Sequence, residues 1–224
     1  MKHPARGGGR WVEVAPQRLV TWVVSFADRH PSVTVAASGR EVVTFAAEDG
    51  AVAECHVPFP PLPAGVPAAA VATAGLIASH AQAPRTVGVL LVRLGGYAAG
   101  VFTGSPPRLA ASKVGSRLVH GRSAAGGTSQ HRFARRREKQ AAEALSAAAN
   151  TAVAVLGPFA GELDAVVLGG DRRAVEALRA DPRLNRFFEL AVDRFLTVPD
   201  PRLTVLRDTP RMFSAIRIRL TEPG

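Results

Sequence analysis

The sequence predicts a chain of the α+β or α/β class, in which a mixed β-sheet with packed helices is preceded by a small α+β N-terminal unit. Two apolar runs flank Gly95-Gly96 and predict a β-hairpin, because glycines tolerate the positive φ angles of a tight turn. From His131 a helical pattern runs for too long to be a strand. A further strand, a Gly-Gly turn and a helix follow, an alternation typical of a mixed sheet covered by helices.

The N-terminal part predicts a tail, one helix and three short strands. Residues 1–10 are glycine-rich and basic, and we expect them to form a disordered tail. From Pro16, apolar side chains recur at helical spacing as far as Phe26, and Pro31 ends the helix. Alternating apolar residues then predict three strands, which span residues 32–37, 41–46 and 51–57.

Prolines divide this unit from the rest of the chain. Five of them fall between Pro58 and Pro67 and indicate a stiff connection, which is followed by an Ala-rich helix over residues 68–82. We therefore expect a first unit over residues 11–83 and a second domain over residues 84–224 that closes with C-terminal strands.

The second domain predicts several strands and two helices. The strands span residues 87–94, 97–103, 108–118, 163–168, 204–206 and 213–220. Asp171 is placed to cap a helix over residues 172–180. Residues 184–198 fit either a short helix with a strand or one broken element. In the last strand Arg217 and Arg219 alternate with apolar residues, so we expect these arginines to point outward.

Charge is the strongest compositional signal. The 224-residue chain has a net charge of +10 and a pI of about 11.3, which favours nucleic acid or an anionic membrane surface as a partner. Between Glu54 and Glu138 there is no acidic residue. Ten cations lie in that interval: Arg85, Arg93, Arg108, Lys113, Arg117, Arg122, Arg132, Arg135, Arg136 and Arg137. Ordinary solvated surfaces mix both signs, so this interval indicates a surface that binds a polyanion.

Several classes of protein are disfavoured. Cys55 is the single cysteine, so neither a disulfide framework nor a cysteine-rich zinc site is expected, and we predict no metal and no cofactor. The basic residues after Met1 are not followed by the apolar segment of a signal peptide, and no run reaches the length of a membrane span. We therefore expect a cytoplasmic protein that does not bind membranes.

The segment from His120 to Gln140 combines a flexible loop with a basic helix. Its first part, Gly121 to Gln130, has three glycines and no large apolar side chain, so we expect an exposed loop. The helix that follows carries its cations in its first turns: Arg132, Arg135, Arg136, Arg137 and Lys139. Cations at a helix N-terminus oppose the macrodipole, each by about 0.3–1 kcal/mol. The arrangement therefore indicates phosphate binding rather than a contribution to stability.

These motifs resemble a known family. The catalytic middle domain of eukaryotic and archaeal class-I release factors carries Gly-Gly-Gln, then a helix with Arg-Phe-Ala-Arg and Glu-Lys. The matching residues here are Gly126-Gly127, Arg132-Phe133-Ala134-Arg135 and Glu138-Lys139, after a basic lead-in from Lys113 to Arg122. The run Val166-Val167-Leu168-Gly169-Gly170 resembles the later strand and turn of that domain. The similarity covers about residues 85–200 and implies an RNase H-like catalytic-domain fold.

The residues outside this region of similarity indicate which group of release-factor-like proteins the chain resembles more. Residues 11–83 do not resemble a stop-codon-reading domain, and the chain has no room for a third domain. The sequence is therefore more similar to the release-factor-like (VLRF-type) peptidyl-tRNA hydrolases, which are relatives of the Vms proteins. The Ala-, Arg- and Gly-rich composition fits their actinobacterial branch.

The resemblance implies hydrolysis of the ester between a nascent peptide and tRNA on stalled ribosomes or large ribosomal subunits. It assigns catalysis to Gln130 with Gly126, Gly127 and Thr128. A glutamine amide does not titrate near pH 7, so its role would be to orient water, while backbone N–H groups stabilise developing charge. The residues expected to bind RNA are Arg122, Arg132, Arg135, Arg136, Arg137, Lys139, Lys113 and Arg117.

The register of the glutamine is open. Aligned without gaps, the release-factor glutamine falls on Thr128, whereas Gln130 lies two residues later. We assign the role to Gln130, because VLRF-type proteins tolerate altered spacing. The alternative is that Gln130 is only a residue of the first helical turn.

Three functions are compatible with the sequence. The first is a monomeric peptidyl-tRNA hydrolase of ribosome rescue, whose partners are peptidyl-tRNA and the ribosomal RNA of the large subunit. The second is a nuclease that cleaves the tRNA 3′ end, for which His120 or His131 would be the base. The third is a non-catalytic adaptor that binds RNA or the ribosome.

Overall fold

The computed structural model describes residues 3–4, 8–93, 95–116 and 130–223, and of residues 130–137 it describes the backbone alone. Within these residues the chain forms two compact units. The first comprises residues 1–83 and 211–224, and the second comprises residues 84–210.

The first unit is a six-stranded antiparallel sheet with two helices. Its strands are β1 (His3–Pro4), β2 (Arg10–Val14), β3 (Thr34–Ser38), β4 (Val42–Ala46), β5 (Val52–His56) and β11 (Ile216–Thr221), and its helices are α1 (Leu19–Ala27) and α2 (Ala70–Ala81). The strands lie in the order β1-β2-β11-β5-β4-β3. A 3-10 turn over Pro16–Arg18 leads into α1. Phe26 and Phe45 are fully buried in the core that includes α1, α2 and one side of the sheet.

The last strand belongs to the first unit, which differs from the predicted boundary at residue 84. β11 lies between β2 and β5 and pairs with both in antiparallel register, so that Ile218 faces Val12 on one side and Cys55 on the other. Its alternation follows the prediction, because Ile216, Ile218 and Leu220 are buried whereas the arginines between them are not. Alternation determines which face a residue occupies, but it does not determine which sheet the strand joins.

The N-terminus also differs from the expected tail. His3–Pro4 pairs with Trp11 and Arg10 in an antiparallel bridge. The Arg10 guanidinium donates to a Glu222 carboxylate oxygen at 2.7 Å. Residues 1–2 and 5–7 lie outside the described part of the chain.

The second unit is a mixed five-stranded sheet with four helices. Its strands are β6 (Arg85–Arg93), β7 (Gly96–Gly104), β8 (Arg108–Ser116), β9 (Ala165–Gly170) and β10 (Ala191–Leu196), and its helices are α3 (Gln130–Leu156), α4 (Arg172–Ala177), α5 (Asn185–Glu189) and α6 (Leu203–Phe213, which runs on into the first unit). The order is β10-β9-β6-β7-β8, with the first two pairs parallel and the last two antiparallel. The predicted mixed α and β class with a mixed sheet is therefore confirmed.

The hairpin between β6 and β7 turns one residue earlier than predicted. Gly95 has a φ of +90°, and Gly96 already pairs with Arg93 as the first residue of β7. A Cβ at Gly96 would lie 3.3 Å from the ring of Pro201, so the second glycine makes room for a neighbouring segment. The turn therefore includes Gly95, and residue 94 lies outside the described part of the chain.

Helix α6 corrects the prediction of a strand over residues 204–206. The helix contains Pro210, whose missing N–H would leave the carbonyl of Leu206 without its partner. The hydroxyl of Thr209 donates to that carbonyl at 2.7 Å and takes the place of the missing donor. Thr209 is fully buried, so this bond lies in the core. A proline in a helix is tolerated here because a side chain satisfies the freed oxygen.

The remaining elements follow the predictions more closely. Asp171 caps α4, because its carboxylate accepts from the backbone N–H groups of Arg173 at 2.8 Å and Ala174 at 3.3 Å. The segment over residues 184–198 holds a short helix and a strand, α5 and β10. None of the helices in the described part of the chain combines the length and apolarity that crossing a bilayer requires.

Candidate functional site

The predicted catalytic loop connects an edge strand to the longest helix. The chain leaves β8 at Ser116 and enters α3 at Gln130. Five of the predicted site residues lie between these two points, outside the described residues: Gly126, Gly127, Thr128, Arg122 and Arg117. Their roles therefore stay predictions. The described part of the candidate site consists of the two elements on either side of the loop, β8 and α3.

Strand β8 forms one edge of the five-stranded sheet. It pairs with β7 alone and exposes most of its side chains, including Lys113. Lys113 pairs with Ala99, which is fully buried in the core under α3. Two residues later Gly115 packs against the ring of Tyr97, where an added Cβ would lie 2.5 Å from the aromatic carbons. The predicted RNA-binding lysine is thus exposed on the α3 side of the strand that leads into the loop.

The C-terminal half of α3 fixes the helix to the sheet. Ala148, Ala149 and Ala152 are almost completely buried, and Leu156 ends the buried stripe. Alanines allow the helix axis to approach the strands closely because they carry no side chain beyond Cβ. The helix is therefore held at one end by its packing.

The N-terminal half of α3 is less buried in its described side chains, and Leu145 is its partly buried contact with this core. No residue from Glu138 to Ser146 is buried, and Lys139 is exposed. Residues 130–147 span roughly 27 Å at 1.5 Å per residue. The first turn contains no acidic residue. The cations Arg132, Arg135, Arg136 and Arg137 lie on this half, although only their backbone is described.

Gln130 is the first residue of α3. Its backbone therefore belongs to the helix start rather than to the loop, which is the alternative that the sequence left open. The first four N–H groups of a helix have no carbonyl partner within the helix. A glutamine at this position combines a side-chain amide with a backbone donor that the helix leaves unused.

Four of the ten predicted cations have described side chains, and two of these four serve the fold. Arg93 donates to the backbone carbonyl of Val198 at 2.7 Å and lies 3.8 Å from the Asp200 carboxylate. Partial burial lowers the pKa of Arg85, and the neighbouring charge of Asp164 opposes that shift. The basic interval therefore contains structural as well as surface cations, and the exposed ones include Arg108 and Lys113.

The other candidate groups of the first unit are engaged in structure. His30 lies 2.8 Å from an oxygen of Asp49, and His80 contacts the carbonyl oxygen of Phe59 at 2.9 Å. His56 packs its ring against Trp11 on the face opposite to Cys55. Burial strongly raises the pKa of the Cys55 thiol, which keeps it protonated. Within the described residues, no three His, Cys, Asp or Glu side chains come together as a metal site would require.

A second basic feature was missed in the sequence. A groove of about 560 Å³ lies along α4 and β10, and its lining includes Arg172, Arg173, Arg179 and Arg194. The available signal was the presence of Arg172, Arg173 and Arg179 in the predicted helix over residues 172–180. Nothing in the sequence placed that helix beside the strand that carries Phe195. The groove lies at the sheet edge opposite to β8.

Comparison with known proteins identifies one family. A family model described as "Actinobacteria/chloroflexi VLRF1 release factor" matches residues 85–219, which is more than half of the chain. Among curated proteins, none matches the sequence significantly.

Several solved structures have a similar chain course. An archaeal translation termination factor, aRF1, is 15% identical with a TM-score of 0.43, and the match covers 87% of this chain and 52% of that one. The Vms1 mitochondrial localization core is 9% identical with a TM-score of 0.43, over 88% of this chain and 80% of that one. A further archaeal protein is 16% identical with a TM-score of 0.39, and the match covers 73% of this chain and 48% of that one. The chain thus spans about half the length of the archaeal termination factor.

Proposed function

The chain belongs to the Actinobacteria/chloroflexi VLRF1 release factor family, which links it to translation termination or ribosome rescue, and from this membership we propose that it hydrolyses peptidyl-tRNA on stalled ribosomes or large subunits. The observation that carries the proposal is the basic helix that begins at Gln130, directly after a glycine-rich loop. Its substrate would be bound to ribosomes, so we propose that the protein acts in the cytoplasm.

The proposed reaction is ester hydrolysis. Water attacks the carbonyl carbon that joins the peptide to the terminal ribose of tRNA. The carbon–oxygen bond to the ribose breaks. One proton of the water ends on the ribose hydroxyl, and the other is released to solvent as the peptide carboxyl group ionises. The products are a peptide with a free carboxylate and a tRNA with an intact 3′ end.

Gln130 supports this step in two ways. Its side-chain amide accepts a hydrogen bond from the attacking water and so orients it, without acting as a base. Its backbone N–H, which has no partner within α3, is available to stabilise the oxyanion of the tetrahedral intermediate. Gly126 and Gly127 would allow the loop backbone to approach RNA, because they carry no Cβ.

The cations of α3 would hold the RNA. At helical spacing Arg132, Arg136 and Lys139 share one side of the helix, and Arg135 lies beside them. Such a row can follow a phosphate backbone, with Lys113 of β8 and the two arginines of the loop as further contacts. Lys139, whose side chain is described, is exposed and can therefore contact a phosphate.

A product analysis tests the proposal. Large subunits carrying radiolabelled peptidyl-tRNA are incubated with the full chain, and both peptide and tRNA are resolved on gels. We expect free peptide together with tRNA that keeps its 3′ terminal nucleotides. No release above the level of buffer at saturating protein would refute the activity.

The same gels separate the two alternatives. A nuclease would release peptide still joined to a short 3′ fragment, and the tRNA would be shortened. The presence of His120 and His131 at the two ends of the loop motivates this possibility. A non-catalytic adaptor would bind the subunits in a salt-sensitive manner and release nothing.

A further inference from the structure

The groove along α4 and β10 is a second candidate site in the second unit. Its volume of about 560 Å³ falls in the range of roughly 300–1,000 Å³ that accommodates small ligands such as nucleotides. Its floor includes Leu168 and Val175, and its walls are α4 with the following 3-10 turn on one side and β10 on the other. It lies four strands away from β8, which is about 19 Å across a sheet.

The groove carries an excess of positive charge. Its lining includes four arginines, Arg172, Arg173, Arg179 and Arg194, and two carboxylates, Glu176 and Asp193. Glu176 is already neutralised by the guanidinium of Arg179 at 2.9 Å. Arg172 and Arg173 are exposed and form no ion pair with the part of the chain that the structure describes. The groove is therefore suited to an anionic ligand.

Two of its guanidinium groups are positioned by aromatic rings. Arg172 lies over the ring of Phe195 at 4.3 Å, and Arg179 lies over the ring of Phe188 at 4.5 Å. Stacking holds the planar forks in place before a ligand arrives, which lowers the entropic cost of binding phosphate. The outer face of each stacked guanidinium is a further platform on which a nucleobase can lie.

The geometry of β10 argues against a peptide strand as the ligand. Its pairing with β9 shifts register between Ala191 and Phe195, so the edge is irregular. Asp193 is exposed in the middle of the strand. Irregular pairing and charged residues are devices that prevent the addition of another strand to a sheet edge.

We propose that this groove binds single-stranded RNA, with phosphates on Arg172 and Arg173 and with bases against the guanidinium planes stacked on Phe188 and Phe195. The protein would then hold RNA at both edges of one sheet, by the loop and α3 at one edge and by the groove at the other. The inference goes beyond ester hydrolysis and does not depend on it, because binding can be measured without turnover.

The test is a binding titration with the full chain. Fluorescence anisotropy follows a 5′-labelled 12-nucleotide oligouridylate at several KCl concentrations. The groove variant is Arg172→Ala/Arg173→Ala, and the matched control is Arg202→Ala/Arg207→Ala, which removes two exposed arginines at the start of α6 and on it. Urea unfolding of each variant checks that the fold is retained.

The proposal predicts a selective loss. Removing two phosphate contacts should weaken binding by roughly fivefold or more and lower the slope of log K against log salt by about 1.4, because each contact on a single strand contributes about 0.7. The control should stay within about twofold of wild type. Equal losses in both variants, or no loss in the groove variant, would overturn the proposal. An unlabelled acidic decapeptide that displaces the RNA through the groove arginines would also overturn it, in favour of an acidic protein partner.

Discussion

Gly170 is the residue whose identity the fold of the second unit requires most directly. It ends β9 with a φ of +102°, and a Cβ there would collide with the carbonyl oxygen of Val92 on β6. The next backbone N–H, that of Asp171, donates to this same oxygen at 2.7 Å. The crossing from β9 to α4 therefore needs a residue without a side chain.

We predict that Gly170→Ala destabilises the protein by about 2 kcal/mol or more, since both the backbone angle and the collision are unfavourable. Gly157→Ala is the matched control, because a Cβ at that position meets nothing within 4 Å. Urea unfolding should show a lower midpoint for the first variant and an unchanged or higher midpoint for the second. Equal midpoints would contradict this explanation.

Asp49 and His30 form a polar contact at the edge of the first unit's core. The hydrogen bond from His30 is the main cause that lowers the pKa of Asp49, followed by the backbone N–H of Ala51 at 3.0 Å. A carboxylate whose pKa is lower in the folded protein stabilises the fold above its unfolded pKa. That contribution is lost as the pH falls through the folded pKa.

The corresponding prediction concerns Asp49→Asn. Wild type should be more stable than this variant at neutral pH, and the difference should shrink as the pH falls below 3.8. Thermal midpoints measured across a pH series provide the check. The neighbouring variant Glu48→Gln alters an exposed carboxylate without this contact and should show no such convergence. A difference that grows at low pH would contradict the predicted sign.

At the scale of the element, α6 shows how one side chain makes a helix possible. Pro210 removes a backbone donor, and the Thr209 hydroxyl replaces it at the carbonyl of Leu206. We predict that Thr209→Val costs about 1–3 kcal/mol, because the shape is kept while a buried carbonyl loses its donor. Thr204→Val, on the exposed part of the same helix, should be close to neutral in the same unfolding measurement.

The same helix shows why sequence reasoning failed locally. Three residues over 204–206 fit a short strand, and Pro210 is unfavourable inside a helix. The signal that favoured a helix was the spacing of Leu206, Thr209 and Phe213, all buried. This helical spacing was hard to recognise because threonine is ordinarily read as a polar residue, even where it is buried. By contrast, the hairpin of β6 and β7 was predicted within one or two residues at its ends, since its apolar runs and glycines are local signals.

Helix α3 separates stability from function along its length. Its C-terminal half packs on the sheet, and its N-terminal half carries cations that oppose the helix macrodipole. We predict that Arg132→Gln/Arg136→Gln leaves the thermal midpoint unchanged or raises it, while affinity for ribosomal subunits falls and becomes less dependent on salt. Loss of both stability and binding would indicate that these arginines pack in the fold instead.

At the scale of the whole molecule, the partner of a strand was the least predictable feature. The pattern of β11 gave its buried and exposed faces, yet it pairs with β2 and β5, which lie more than 150 residues earlier in the chain. Such pairing depends on a sheet edge that is formed elsewhere, and no local pattern records it. The groove along α4 was missed for a different reason. Its walls, α4 and β10, are close in the chain, but their packing beside each other is a tertiary contact that no local pattern records.

The candidate site was predictable because its residues are contiguous. The loop, the basic turns and the glutamine all lie between His120 and Gln140, so composition and spacing sufficed to single them out. The position of Gln130 relative to the start of the helix was not predictable. The segment before it is rich in Gly and Ser, and such a segment does not show which residue caps the helix. The structure places Gln130 as the first helical residue. Thr128 stays the alternative, and its alanine variant belongs in the same assay.

The most direct test of the central claim is the rate of peptide release from peptidyl-tRNA on large subunits under single-turnover conditions. Wild type is compared with Gln130→Ala and with Gln140→Ala, which changes the same residue type more than two turns further along α3. The proposal predicts a rate lower by roughly 100-fold for Gln130→Ala, because water loses its orienting group. Gln140→Ala should release peptide at a rate close to wild type. Undiminished release by Gln130→Ala would contradict the role given to this residue.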